Sequence, residues 1–179
     1  MLEDKLDALL DSVLIEAGCS LEPGEEFRTP ALDVLRYYGR SVRLNWAPVV
    51  GKAQSVVVVA RQPIDLDFSE AGYVQLMNRA AMAASGRFSP WRGLAIGLAV
   101  VVLTPEPIAP GDDETLGRVL SSGYRRLRTV PFGLFRLNLG QEAASFALAT
   151  SPDALFPEAE RLADAFSEHF RRFVPFLEV

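Results

Sequence analysis

The chain has 179 residues and a mass of 19.6 kDa, which fits one domain, or one domain with an appendage, and a core that needs no covalent staples. Its single cysteine, Cys19, excludes an internal disulfide framework and a cysteine-based zinc site, and its single histidine, His169, excludes a histidine metal cluster. The formal net charge of −5 falls on residues 1–70 (7 basic, 12 acidic) ahead of a neutral remainder (11 of each), a poor balance for non-specific contact with nucleic-acid phosphates.

Residues 2–17 read as a helix, with Leu2, Leu6, Leu9, Leu10, Val13 and Leu14 at helical spacing and Gly18 as its stop. Leu21 to Thr29, with Pro23-Gly24 and clustered Glu, reads as a loop. Residues 31–38 fit either a short helix opened by Thr29-Pro30 or a strand entering a hairpin at Gly39-Arg40, and the strand is preferred. Val42, Leu44 and Trp46 alternate with polar residues, and Val56 to Ala60 is a β-branched run, which completes a three-stranded meander.

A second helix follows Asp67 or Ser69 as N-cap and runs to about Ser85, with an alanine-rich end (Ala80, Ala81, Ala83, Ala84) suited to close approach to the sheet or to a twin helix. Gly86 to Ser89 is a candidate short strand, and Leu94 to Leu103 a long buried one. Asp112, Asp113 and Glu114 open a third helix whose apolar face holds Leu116, Val119, Leu120, Tyr124 and Leu127. Segments 133–139 and 143–149, joined at Gly140-Gln141, read as a hairpin, and 153–173 as a final helix. The expected fold class is α+β: an antiparallel sheet flanked by helices (α-β-β-β-α-β-β-α) over residues 1–128, with an added C-terminal β-hairpin and helix over 129–179 packed on that core.

Residues 1–12 carry Glu3, Asp4, Lys5, Asp7 and Asp11 in place of a basic-then-apolar run, and the 10-residue apolar stretch 94–103 is too short to span a bilayer. A cytoplasmic location with no membrane contact is therefore expected. Counting Gly and leaving out Tyr, about 54% of the chain is apolar, above the usual ~45–50%, and self-association would give that surface a second place to be buried.

The motifs of common chemistries are missing. Gly51-Lys52 lacks the upstream glycine of a phosphate loop, no Gly-x-Gly-x-x-Gly follows a strand, and no Gly-x-Ser-x-Gly elbow occurs. His169 reads as a helix-end histidine rather than a base, Asp65, Asp67 and Glu70 as a loop ending in a helix cap, and Cys19 as an inert small hydrophobe. No catalytic, cofactor or metal residue is expected. The features that suggest a partner are Arg118, Arg125, Arg126, Arg128 and Arg136, with no acid between 115 and 141, and the aromatic C-terminus, where Phe173 and Phe176 are candidates to face another protein. The arginines suit a flexible or acidic protein segment; contact with single-stranded nucleic acid, with Tyr124 and Phe132 stacking, is the alternative.

The element order of residues 1–128 resembles the YbjN family and the type III secretion chaperone fold. The local likeness is carried by Leu76-Met77-Asn78-Arg79-Ala80-Ala81-Met82-Ala83, followed by Gly86-Arg87-Phe88, the 94–103 strand and a helix opened by Glu114-Thr115-Leu116. The resemblance implies a non-catalytic, acidic, homodimeric module that holds or guides a partner protein, and it supplies no catalytic residues. The hairpin and last helix, 132–173, depart from that pattern.

Overall fold

A computed structural model describes residues 2–44, 51–85, 95–122, 129–149 and 156–172. In chain order they form α1 (Leu2–Glu16), β1 (Ser20–Pro23), a 3-10 turn (Gly24–Phe27), β2 (Val34–Leu44), β3 (Gly51–Arg61), α2 (Glu70–Ser85), β4 (Ala95–Leu103), α3 (Asp112–Ser121), β5 (Thr129–Asn138), β6 (Ala143–Leu148), α4 (Pro157–His169) and β7 (Arg171–Arg172). The strands make one sheet in sequential order, β1 to β7. The α+β class holds, with a mixed sheet in place of an antiparallel one: β3–β4, β4–β5 and β6–β7 are parallel, and the other neighbours antiparallel. The reason is that α2, α3 and α4 each carry the chain back to the end of the sheet from which it started.

Helix placement follows from connection geometry. The β3–α2–β4 and β4–α3–β5 crossovers step the same way along the sheet and lay both helices on one face, as crossovers of one hand must. The β5–β6 hairpin then reverses the strand direction, so a β6–α4–β7 crossover of the same hand puts α4 on the opposite face, beside α1. Two cores result. Val56, Val58, Leu98, Val100 and Leu134 pack under α2 and α3, and the alternate residues Val57, Val59, Ala99, Val101 and Phe135 under α1 and α4.

Local chemistry sets the boundaries. Leu6, Leu10 and Leu14 form the buried stripe of α1, which stops where Gly18 takes a left-handed φ of 86° and the Cys19 N–H closes onto the Leu14 carbonyl. At α2 the Ser69 hydroxyl accepts the Gly72 N–H, while Asp67 accepts the Ser69 N–H and hydroxyl. The alanines of α2 turn inward: Ala80, Ala81, Ala83 and Ala84 are buried against the sheet core, so close approach is to the sheet.

Several expectations change. The Gly39-Arg40 turn does not form, because β2 runs unbroken from Val34 to Leu44 and pairs Gly39 with both Ser20 and Val56. The segment after α1, read as a loop, supplies edge strand β1 and the 3-10 turn, whose Phe27 ring stacks on Tyr37 at 3.8 Å. Arg171 and Arg172, read as helix, form β7, since the α4 helix ends at His169 and the Arg171 N–H bonds the Glu142 carbonyl. The expected strand 86–89 lies outside the described residues. Among the described residues no helix is long and apolar enough to cross a membrane.

Two register shifts redirect side chains. One falls between Val34 and Arg36 on β2; the other leaves Phe132 as the extra residue of β5, between Pro131 and Gly133. Phe132 thereby leaves the face of Leu134 and stacks on Phe156 at 4.7 Å, at the start of α4. Phe156 in turn covers Gly97 of β4, where a Cβ would come within 2.2 Å of the ring. Gly97→Ala should therefore displace the entry to α4 and destabilise the protein by about 1–3 kcal/mol in urea unfolding, whereas an unchanged midpoint would show that Phe156 does not bear on β4.

Candidate functional site

Arg36, Tyr38 and Arg40 alternate along β2, so all three side chains project toward the face covered by α1 and α4. Arg36 donates to Asp7 (2.6 Å) and Asp11 (3.1 Å) of α1, and the Tyr38 hydroxyl donates to the same Asp11 (2.6 Å). Burial, and then the Asp11 carboxylate, push the Tyr38 phenol well above its ordinary pKa. Arg40 reaches the other helix and pairs with Glu158 in the first turn of α4. One strand thus fastens both helices of this face through charged hydrogen bonds.

The Glu158 carboxylate is 0% exposed and lies 3.8 Å from the Cys19 sulfur through Oε1, while its Oε2 has no hydrogen-bond partner among the described residues. Burial first, and the negative charge of Glu158 second, push the Cys19 thiol up to about 12. Cys19 is thus a buried thiol whose ionised form is disfavoured beside the Glu158 carboxylate.

Two clefts flank the N-terminal half of α1. One, of about 520 Å³, lies between α1 and the β1–β2 edge; its walls include Glu3, Asp7, Leu21, Glu22, Arg36 and Arg61. Arg61 approaches Glu3 and Asp33, each at 3.7 Å. The second, of about 530 Å³, lies between α1 and the end of α4, with Leu6, Leu9, Leu139 and Phe170 as its apolar part and Lys5, Glu142 and His169 at its rim. The His169 ring sits at the C-terminus of α4, its Nδ1 2.9 Å from the Ala165 carbonyl, which requires the proton on Nδ1 for a hydrogen bond. Glu142 holds a left-handed φ of 51° in the β5–β6 turn, a strained setting for a residue with a Cβ.

The arginines singled out in the sequence do not form one described face. Arg118 is exposed and meets Glu70 at 3.4 Å and Glu114 at 4.0 Å. Arg136 is 3% exposed; it bonds Asp112 (2.6 Å) and the Pro107 carbonyl (3.0 Å) and covers the Phe68 ring at 3.5 Å, so it ties the β3–α2 loop, the β4–α3 loop and the start of α3 to β5. Tyr124, Arg125, Arg126, Arg128, Phe173 and Phe176 lie outside the described residues. Phe132 and Phe166 are core residues. Asp65 is engaged by Arg79, whose hydrogen bond holds its carboxyl below the usual range. Among the described residues no group of three or more His, Cys, Asp and Glu is arranged to hold a metal ion.

Asp113 closes one sheet edge. Its carboxylate accepts the Ser145 hydroxyl, the Phe146 N–H (2.9 Å) and an Arg172 N–H (2.7 Å). Because Ala149 donates to β5, the Phe146 N–H points the other way, to the open side of β6, where Asp113 satisfies it. Comparison with family models, curated proteins and solved structures gives no match.

The β2 ladder yields a test of what secures α4. Arg40→Leu leaves the Glu158 carboxylate buried without its cation and should cost about 3–5 kcal/mol, while Arg40→Leu with Glu158→Leu should recover most of the loss. Additive losses in chemical denaturation would show that the two side chains are not coupled.

Proposed function

We propose that the chain is a non-catalytic protein-binding module of the cytoplasm, an adaptor or chaperone-like protein that works as a homodimer and holds a segment of its partner beside α1. The observation that carries this reading is the pair of clefts of about 520 and 530 Å³ on either side of the same two helical turns. Each combines apolar side chains with a charged rim, the combination by which surface grooves take up polypeptide segments: apolar pockets give affinity and charge gives orientation. The reading agrees with what the likeness to the YbjN family implies, and it requires no cofactor.

The alternative, contact with single-stranded nucleic acid through an arginine face, draws no support from Arg118, which is matched by acids, or from Arg136, which is buried. Light scattering of the purified protein is expected to give the mass of two chains. Affinity purification from the native organism is expected to recover one dominant protein that survives nuclease treatment. A one-chain mass with no protein recovered, or recovery only while nucleic acid is intact, would sink the reading.

A further inference from the structure

We propose that the cleft between α1 and the β1–β2 edge takes a basic, partly apolar segment of the partner polypeptide, an assignment that rests on the protein-binding reading above. Charge carries the argument. Nine acids lie between Glu3 and Asp33 against two basic residues, Lys5 and Arg28, a net −7 over residues 1–33 that Arg36, Arg40, Arg43, Lys52 and Arg61 of β2 and β3 offset only in part. The acids are grouped on α1, β1, the 3-10 turn and the approach to β2, the elements that surround this cleft.

Arg36 and Arg61 do not reverse the sign. Arg36 faces Asp7 and Asp11, and Arg61 faces Glu3 and Asp33, so each guanidinium in the cleft already meets two carboxylates. An anionic ligand would have to displace these carboxylates and then meet their repulsion. A cationic one joins a field already negative, which also excludes a nucleic-acid strand. The deeper wall is apolar, with Leu6 and Val59 buried, and Leu21 is 42% exposed at the rim, so arginine or lysine alone would leave apolar surface uncovered. A segment that alternates cations with aliphatic side chains satisfies both parts: in an extended chain successive side chains point to opposite sides, one set toward the apolar wall and one toward the carboxylates.

The test uses the full chain and two fluorescein-labelled nine-residue peptides, one alternating Arg and Leu, the other Glu and Leu, read by fluorescence anisotropy. The Arg–Leu peptide is expected to bind saturably and the Glu–Leu peptide not to bind. Glu3→Lys with Leu21→Lys, both on the cleft, should weaken binding by about tenfold or more. Glu160→Lys with Gln75→Lys makes the same change in net charge away from the cleft and should shift affinity by less than about twofold. All four positions are outside the core, so thermal melts of both variants should stay close to the parent. Equal weakening by the two variants, equal binding of the two peptides, or no saturable binding of the Arg–Leu peptide would overturn the proposal. Recovery of the same dominant partner by the parent and by the Glu3, Leu21 variant would overturn the cleft assignment alone and leave the protein-binding reading standing; recovery of no partner would remove both.

Discussion

Burial of β4 on both faces is the constraint on which the remainder of the architecture depends. Its residues from Ile96 to Val102 alternate between the two cores, and Leu98 to Val102 have no exposed surface. A strand of this kind must have hydrogen-bonding neighbours on both sides and helices above and below. The parallel crossovers through α2 and α3 cover one face only. The second face has to be closed by elements that precede and follow the parallel strands, which is the work of α1 and, once the β5–β6 hairpin has reversed the chain, of α4.

The two halves of the molecule consequently differ in how they are held. Arg136 locks the loops at the ends of β3 and β4 on the α2/α3 face, drawing on carbonyls, Asp112 and the Phe68 ring in a buried setting. On the opposite face α1 relies on a single leucine stripe and on the Arg36 and Tyr38 hydrogen bonds to Asp7 and Asp11, and the clefts open on either side of it. Charge is distributed in the same way, since the acids gather around α1 and leave the chain neutral beyond residue 70. The proposed binding surface lies on the α1 face, where both clefts and the acids of the N-terminal elements are found.

Local signals made much of this legible in the sequence. The leucine spacing of α1, the Asp67-Phe68-Ser69 cap of α2 and the hairpin at Gly140-Gln141 depend on neighbours a few residues apart, and each is where the pattern puts it. Strand direction was less legible. The uninterrupted apolar runs at 56–60 and 96–102 are what two-sided burial in a parallel sheet demands, but parallel pairing is decided by the helix between them rather than by either strand. Strand β1 is only four residues ending at Pro23, and it exists because β2 offers it an edge. Reading a turn at Gly39-Arg40 split β2 and thereby hid the Arg36, Tyr38, Arg40 alternation, the signal that would have identified the ladder. Arg136 lies close in sequence to the helix arginines, whereas the period of β5 turns it inward beneath Phe68.

Hydrogen exchange of the isolated protein, followed peptide by peptide, tests the two-sided burial of the central strands most directly. Amides of β3, β4 and β5 are expected to be the last to exchange, and α1 to exchange ahead of them as one unit. Exchange of β4 as early as the edge strands, or an α1 that outlasts the central strands, would contradict this expectation.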